Sequence, residues 1–228
     1  MTSTNIFRRC AFAMCFFLSH LTYSQNYELG LFAGASNYQG DLADGLLVWK
    51  ETQPAGGLFI RYSPIDFLSF KLGFTSGKII GSDLNSSDAG IRQRAYTFQS
   101  QIREFAAFGE LHLPQYGSSS YGIFNPRFSP FLFGGIGLTT LNGKPNAPRD
   151  RVPYPFPEEG AKNQFITVPM GIGVKFRFAE TFATSFEWGT RAVFSDYLDG
   201  ISKNGNPKRN DWFMFMGVSL SYIIDSGY

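Results

Sequence analysis

The stretch FITVPMGIGVKFRF, from Phe165 to Phe178, alternates between apolar residues and small or charged residues along its whole length. Successive side chains of a β-strand point to opposite faces, so such a segment has one apolar face and one small or polar face. The period of two predicts a strand, since an amphipathic helix repeats every 3.6 residues. The apolar face contains Ile166, Val168, Met170, Ile172, Val174, Phe176 and Phe178.

Seven further segments repeat the alternation and predict eight strands in all. Most span about ten residues, enough for a tilted strand to cross a bilayer core. In one of them the parity changes near Arg103–Phe105, which predicts a β-bulge. The seven segments are Tyr27–Tyr38, Pro54–Tyr62, Phe67–Gly77, Phe98–Leu113, Phe128–Leu138, Thr181–Phe194 and Trp212–Tyr222.

The connections between these strands alternate in length. Ser63–Asp66 and Ala179–Glu180 are tight turns, and Pro114–Arg127 falls in the same series although it is longer than expected. Long loops on one side and short turns on the other are typical of outer-membrane barrels. The sequence therefore predicts an all-β, eight-stranded antiparallel transmembrane β-barrel with both termini periplasmic. The long polar loops are Gln39–Gln53, Lys78–Thr97, Thr139–Asn163 and Ser195–Asn210.

Composition and the N-terminal segment narrow the class further. The chain has 228 residues and a formal charge of +2, which excludes nucleic-acid binding driven by a basic excess. Arg8 and Arg9 followed by the apolar run Cys10–Leu18 predict a cleaved signal peptide over residues 1–24. Residues 25–228 then form one outer-membrane barrel domain of a Gram-negative bacterium. That domain contains no cysteine and one histidine, His112.

The polar faces of the strands predict a barrel interior filled with side chains. Eight strands enclose a lumen that side chains just fill, and charges of both signs favour a packed ion-pair network over an open pore. A soluble lipocalin-like barrel would reverse the two faces, but the apolar faces are too large and aromatic for one small lumen. The predicted interior charge network consists of Lys71, Glu104, Glu110, Lys175, Arg177, Glu187 and Arg191. The predicted aromatic belts include Tyr38, Tyr62, Phe178, Phe194, Trp212 and Tyr222.

The sequence supplies little for catalysis. His112 is the sole candidate base, and no histidine–cysteine cluster with metal-ligand spacing is present, so we predict no catalytic, cofactor or metal site. The aspartates of the long loops lack the spacing of a calcium loop. Lys203, Lys208 and Arg209 are candidates for contacts with lipopolysaccharide phosphates.

Several segments resemble the PorG family of small outer-membrane barrels, which is OmpA/OmpW-like in fold. They are YELGLFAGASNYQGDL, FQSQIREFAAFGELHL, FSPFLFGGIGL, ITVPMGIGVKFRF and FEWGTRAVFSDYLDGIS, of which FSDYLDGIS (194–202) is the most specific. The resemblance implies a non-enzymatic component of the type IX protein secretion and gliding machinery of Bacteroidota. Its implied partners are the periplasmic PorK/PorN ring, outer-membrane lipid and lipopolysaccharide, with no nucleic acid and no cofactor.

If that resemblance holds, the contacts with the ring lie on the periplasmic turns. The candidate contact residues are Ser63, Pro64, Ile65, Asp66, Pro114, Tyr116, Arg127, Ala179 and Glu180. Two alternatives remain open at this point. One is a small barrel that binds, transports or modifies lipids or other hydrophobic molecules, with His112 as the base of an enzyme. The other is a narrow ion pore.

Overall fold

A computed structural model describes residues 26–39, 49–82, 92, 97–113, 127–146, 163–193 and 212–225. These residues form eight β-strands and a short 3-10 helix, Trp49–Glu51, between the first two strands. The strands are β1 Asn26–Gln39, β2 Gln53–Ile65, β3 Leu68–Ser82, β4 Thr97–His112, β5 Arg127–Asn146, β6 Gln164–Arg177, β7 Phe182–Val193 and β8 Trp212–Asp225.

The eight strands form one closed antiparallel barrel in sequence order, with β1 hydrogen-bonded to both β2 and β8. When the register partners are followed from strand to strand around the barrel, the path that starts at Tyr27 of β1 returns to β1 at Asn37. The strands are therefore staggered by ten residues in one full turn of the barrel. A staggered register tilts the strands by about 35–45° and removes every exposed sheet edge. The predicted all-β eight-stranded barrel is confirmed.

The two ends of the barrel differ. Asn26 pairs with both Ser63 and Asp225, so the first and last described residues lie beside the β2–β3 turn. We call this the turn end, and the opposite end the loop end. The β6–β7 connection also lies at the turn end, because Arg127 of β5 pairs with Arg177 of β6.

The outer surface of the barrel is apolar and the inner surface is mainly polar. Leu31, Ile136 and Phe105 point outward and are about 60% exposed, whereas Glu28, Arg61 and Glu110 point inward and are at most 2% exposed. On β4 and the residue after it, the outward residues are apolar from Leu113 to Phe105, which spans about 20 Å of barrel height at the usual tilt. Only a hydrocarbon surrounding makes this arrangement stable, so the membrane orientation of the two faces is confirmed over the lipocalin orientation.

The predicted bulge in β4 is wrong. Strand β4 pairs without a shift along its full length with both β3 and β5. Ile102 is fully buried inside the barrel, so the change of parity in the sequence reflects an apolar residue on the inner face. The irregularity that the structure does show lies between Tyr62 and Ile65, at the β2–β3 turn.

Two predicted loops are shorter than expected, because β3 extends to Ser82 and β5 to Asn146. Residues 78–82 of the predicted loop Lys78–Thr97 and residues 139–146 of the predicted loop Thr139–Asn163 therefore belong to strands β3 and β5. The extra residues continue the β3–β4–β5 sheet beyond the apolar band, where most outward residues are polar and conceal the strand pattern in the sequence.

Apolar side chains close the interior at the loop end. Phe213 and Phe215 meet edge to face with ring centroids 5.6 Å apart. Trp212, which the sequence assigns to an aromatic belt, is half-buried. Tyr38 belongs to the same cluster and is fully buried, so its assignment to an aromatic belt is wrong. We call this cluster the apolar lid; it consists of Tyr38, Ile79, Ile102, Leu141, Phe165, Val193, Phe213 and Phe215.

Aromatic side chains surround the outside of the turn end. Tyr27 and Tyr62 stack with centroids 4.9 Å apart, and Phe182 contacts both Phe178 and Tyr222. Such girdles lie at the headgroup level of membrane barrels. Phe194 and the signal peptide lie outside the described residues. In the part of the chain that the structure describes, no helix has the length and hydropathy needed to cross a membrane.

Candidate functional site: the barrel interior and the turn end

A buried ion-pair network fills the middle of the barrel, and Arg61 of β2 is at its centre. Its guanidinium lies 2.9 Å from Glu28, 2.7 Å from Glu110 and 3.5 Å from Glu187. Each residue reaches the centre because its position on an inward face is fixed by strand parity, and Glu28 and Arg61 are direct register partners. One cation therefore joins carboxylates from three different strands.

Two lysines complete the network. Lys71 Nζ lies 2.7 Å from Glu187 and 3.3 Å from Glu110, and Lys175 is bonded to Glu28. A serine hydroxyl donates to a network carboxylate in two further places, Ser221 to Glu28 and Ser185 to Glu187. Three cations thus balance three carboxylates, which is how a protein tolerates charge in a dry interior.

The cations are also packed against aromatic rings. The Arg61 guanidinium lies 5.0 Å from the Phe59 ring centroid, and Lys71 Nζ lies 4.8 Å from that of Phe108. Phe131 and Phe133 complete this layer and are buried. Room for the rings comes from glycine: a Cβ at Gly173 would overlap the ring of Phe131. The interior is consequently filled rather than open.

Nearer the loop end, a separate ion pair joins Arg191 and Glu104 at 3.3 Å. Arg191 also stacks on Phe215 of the apolar lid, 4.8 Å from its centroid. Of the seven predicted network residues, the structure thus brings Lys71, Glu110, Lys175 and Glu187 together and places Glu104 and Arg191 in this second pair.

Arg177 does not join the interior network. It is the last residue of β6, and its side chain donates to the carbonyl oxygens of Ala179 and Glu180 in the following turn. The sequence prediction also omitted Glu28 and Arg61, which the parity of β1 and β2 places on the inner face. Strand parity was the signal that could have found them.

A small polar cavity opens inside the turn end. Its volume is about 70 Å³, and a second cavity of about 30 Å³ lies deeper, between the charge network and the apolar lid. Both are far below the roughly 300 Å³ at which small-molecule pockets begin. The larger cavity is lined by Asn26, Glu28, Ser63, Asp66, Ser69, His112, Arg127, Ser129, Lys175, Arg177 and Ile223.

His112 lies in the wall of the turn-end cavity and is buried. Its Nε2 is 3.3 Å from Glu110, and its ring lies 4.9 Å from that of Phe131. Ser129 donates to the carbonyl oxygen of Leu113, and the hydroxyls of Ser63 and Ser69 are hydrogen-bonded to each other. Among the described residues, none of the three serines that line this cavity is therefore bonded to the imidazole. Within the described ranges, no three histidine, cysteine or acidic side chains are grouped to hold a metal ion.

The described candidate contact residues share the turn end. Ser63, Pro64 and Ile65 end β2 and are half-buried, and Asp66 follows them in the exposed turn. Arg127 begins β5, and Ala179 and Glu180 form the β6–β7 turn. Pro114 and Tyr116 lie outside the described residues, as do Lys203, Lys208 and Arg209.

The fold and its apolar outer surface define the class of protein: an eight-stranded transmembrane β-barrel of the outer-membrane type with a side-chain-filled interior. Residues 8–227 match the family described as a domain of unknown function, DUF6089. The chain belongs to this family, which agrees with the PorG-like character of its sequence. No curated protein matches it.

Among solved structures, the chain is similar to several small bacterial barrels. It is 9% identical to the attachment invasion locus protein Ail of Yersinia pestis, with a TM-score of 0.44, covering 88% of this chain and 99% of that one. It is 12% identical to the N-terminal β-barrel domain of Pseudomonas aeruginosa OprF, with a TM-score of 0.41, covering 88% of this chain and 99% of that one. It is 10% identical to Neisserial surface protein A (NspA), with a TM-score of 0.43, covering 86% of this chain and 96% of that one.

Proposed function

We propose that this protein is a non-enzymatic component of the outer membrane of a Gram-negative bacterium and serves the type IX secretion system by anchoring its periplasmic PorK/PorN ring. The observation that carries the proposal is a filled interior inside an apolar band. A barrel with no lumen for a solute contacts other molecules through its outer surface, of which the turn end is one part. The turn end has two short connections, β2–β3 and β6–β7, and lies beside both ends of the described chain, which is the periplasmic arrangement in such barrels.

The turn end also has the chemistry of a protein contact surface. Asp66 is exposed in the β2–β3 turn after half-buried Pro64 and Ile65, Arg127 is exposed at the start of β5, and Glu180 is exposed in the β6–β7 turn. Charges at the rim of an interface set the rate and specificity of association, and we call these three the rim charges. This surface faces the periplasm if the loop end faces outward.

The alternative of a lipid carrier or lipid-modifying enzyme is less well supported. The turn-end cavity is too small for an acyl chain, and its three serines bond to groups other than His112. Barrel enzymes need a nucleophile and base within hydrogen-bond reach. The anchor is therefore the function that the geometry supports best.

Copurification from cells tests the anchor. The variant Asp66→Lys/Glu180→Lys reverses two rim charges, and Gln99→Lys/Gln101→Lys adds the same type of side chain at exposed loop-end positions. We expect the turn-end variant to retain about tenfold less PorK and PorN, the equivalent of roughly 1.4 kcal/mol, and the loop-end variant to match wild type. Equal ring recovery with all three proteins would contradict the proposed contact surface.

A further inference from the structure

Among the described residues, two cations on the outer surface form no ion pair with a carboxylate. Lys78 of β3 and Arg103 of β4 are both exposed, and no carboxylate of the described residues forms an ion pair with either. The inward cations behave differently, because Arg61, Lys71, Lys175 and Arg191 are each paired with a glutamate. The charge of Lys78 and Arg103 is thus available to a ligand outside the chain.

The register places these two cations side by side. Lys78 pairs with Gln101 and Ser76 pairs with Arg103, so the cations are diagonal neighbours on adjacent antiparallel strands. Diagonal side chains on one face lie about 7–8 Å apart, within reach of one another's long stems. A tetrahedral phosphate fits between an ammonium and a guanidinium at this spacing and accepts hydrogen bonds from both.

Their height on the barrel indicates the source of such a phosphate. Phe74 and Phe105 are directly opposed on the same outer face, and beyond them toward the loop end the outward described residues of β3 and β4 are polar or charged except for half-buried Ile80. Arg103 is the next outward residue beyond Phe105, and Lys78 is the second beyond Phe74, at the height where lipid headgroups meet the barrel. The polar residues that flank them on this face, Ser76, Gln99, Gln101, Thr140 and Asn142, include no acid.

We propose that Lys78 and Arg103 form a binding site for the phosphate of a phosphorylated lipid in the loop-side leaflet, with the acyl chains packed along Phe74 and Phe105. The inference rests on the proposed function for its membrane location only, since it needs no periplasmic partner. In the outer membrane, the phosphorylated lipid of the loop-side leaflet is lipopolysaccharide. The site would fix one such lipid against β3 and β4.

Native mass spectrometry of the purified barrel in detergent tests the site, with lipopolysaccharide and its enzymatically dephosphorylated form as probes. We expect Lys78→Gln/Arg103→Gln to bind lipopolysaccharide roughly thirtyfold more weakly than wild type, from the loss of two cations near an anionic surface. The charge-preserving variant Lys78→Arg/Arg103→Lys should bind within about threefold of wild type. Arg127→Gln, which removes a cation at the turn end, should bind like wild type, and wild type should bind the dephosphorylated lipid weakly.

Three outcomes would overturn the proposal: equal binding by wild type and the double glutamine variant, equal binding of the two lipid forms, or displacement of the lipid by millimolar inorganic phosphate. Heat-dependent migration on gels checks that every variant is folded. Ring copurification with the same variants separates the two proposals, because the lipid-site variants should recover the ring normally whether or not they bind lipid.

Discussion

At the centre of the barrel, Arg61 contacts three carboxylates and two aromatic rings at once. It is 1% exposed, so all of these contacts are made away from solvent. Removing one partner of a buried network leaves the others as uncompensated charges, which is more costly than the network is stabilising. The stability of the barrel should therefore be unusually sensitive to this residue.

We expect Arg61→Met to lower the free energy of unfolding by about 3–5 kcal/mol, because Glu28 and Glu110 lose their principal cation. Urea titration of the detergent-solubilised barrel, followed by tryptophan fluorescence, measures the change. Arg103→Met is the matched control, since Arg103 is exposed without an acidic partner, and should change stability by less than about 0.5 kcal/mol. Adding Glu110→Gln to Arg61→Met should restore part of the loss, and similar effects of the two single variants would contradict this account.

At this scale, the sequence predicts which face a residue occupies better than what it contacts. Parity places Glu28 and Arg61 inside, but their spacing along the chain does not show that they meet. Arg177 has the parity of Lys175, yet its position at the strand end lets it bond to turn carbonyls instead. Tyr38 has the same inward parity on β1 as Glu28. Its position near a strand end predicts an aromatic belt, although its parity predicts the inner face.

At the scale of the strand, β4 shows why apolar residues on the inner face mislead sequence interpretation. If the interior of a barrel were polar throughout, every inward residue would be polar. On that assumption apolar Ile102 has to point outward, which is possible only if a bulge shifts the parity of β4. The structure instead changes the chemistry of the interior with height: charges lie in the middle and the apolar lid at the loop end. One continuous register accommodates both layers.

Single cysteines test this register, since the described strands contain no native cysteine. Arg103→Cys should react rapidly with a bulky hydrophilic maleimide in the folded, detergent-solubilised barrel, because Arg103 is exposed. Ile102→Cys should react only after unfolding in urea, because Ile102 lies in the apolar lid. A bulge at Arg103–Phe105 would turn Ile102 outward, so rapid labelling of Ile102→Cys in the folded protein would show that the continuous register is wrong.

At the scale of the whole molecule, two successive layers obstruct the axis of the barrel. The charge network and its aromatic rings occupy the middle, and the apolar lid occupies the loop end, with only about 30 Å³ of space between them. Both layers are made of inward side chains from strands all around the barrel. An ion entering from the turn end would therefore have to displace paired charges and then cross an apolar layer.

We expect purified wild-type protein in planar lipid bilayers to show no stepwise conductance, because either layer alone blocks the axis. Phe213→Ala/Phe215→Ala removes two lid rings and should also remain non-conducting, since the charge network is unchanged. This variant should still be less stable than wild type by several kcal/mol, at about 3–5 kcal/mol for each buried phenylalanine. This loss of unfolding free energy, measured by urea titration, is the control that shows that the lid has been altered. Discrete conductance steps in wild type would contradict the filled interior and favour the ion pore, and steps in the lid variant alone would show that the charge network does not seal the barrel.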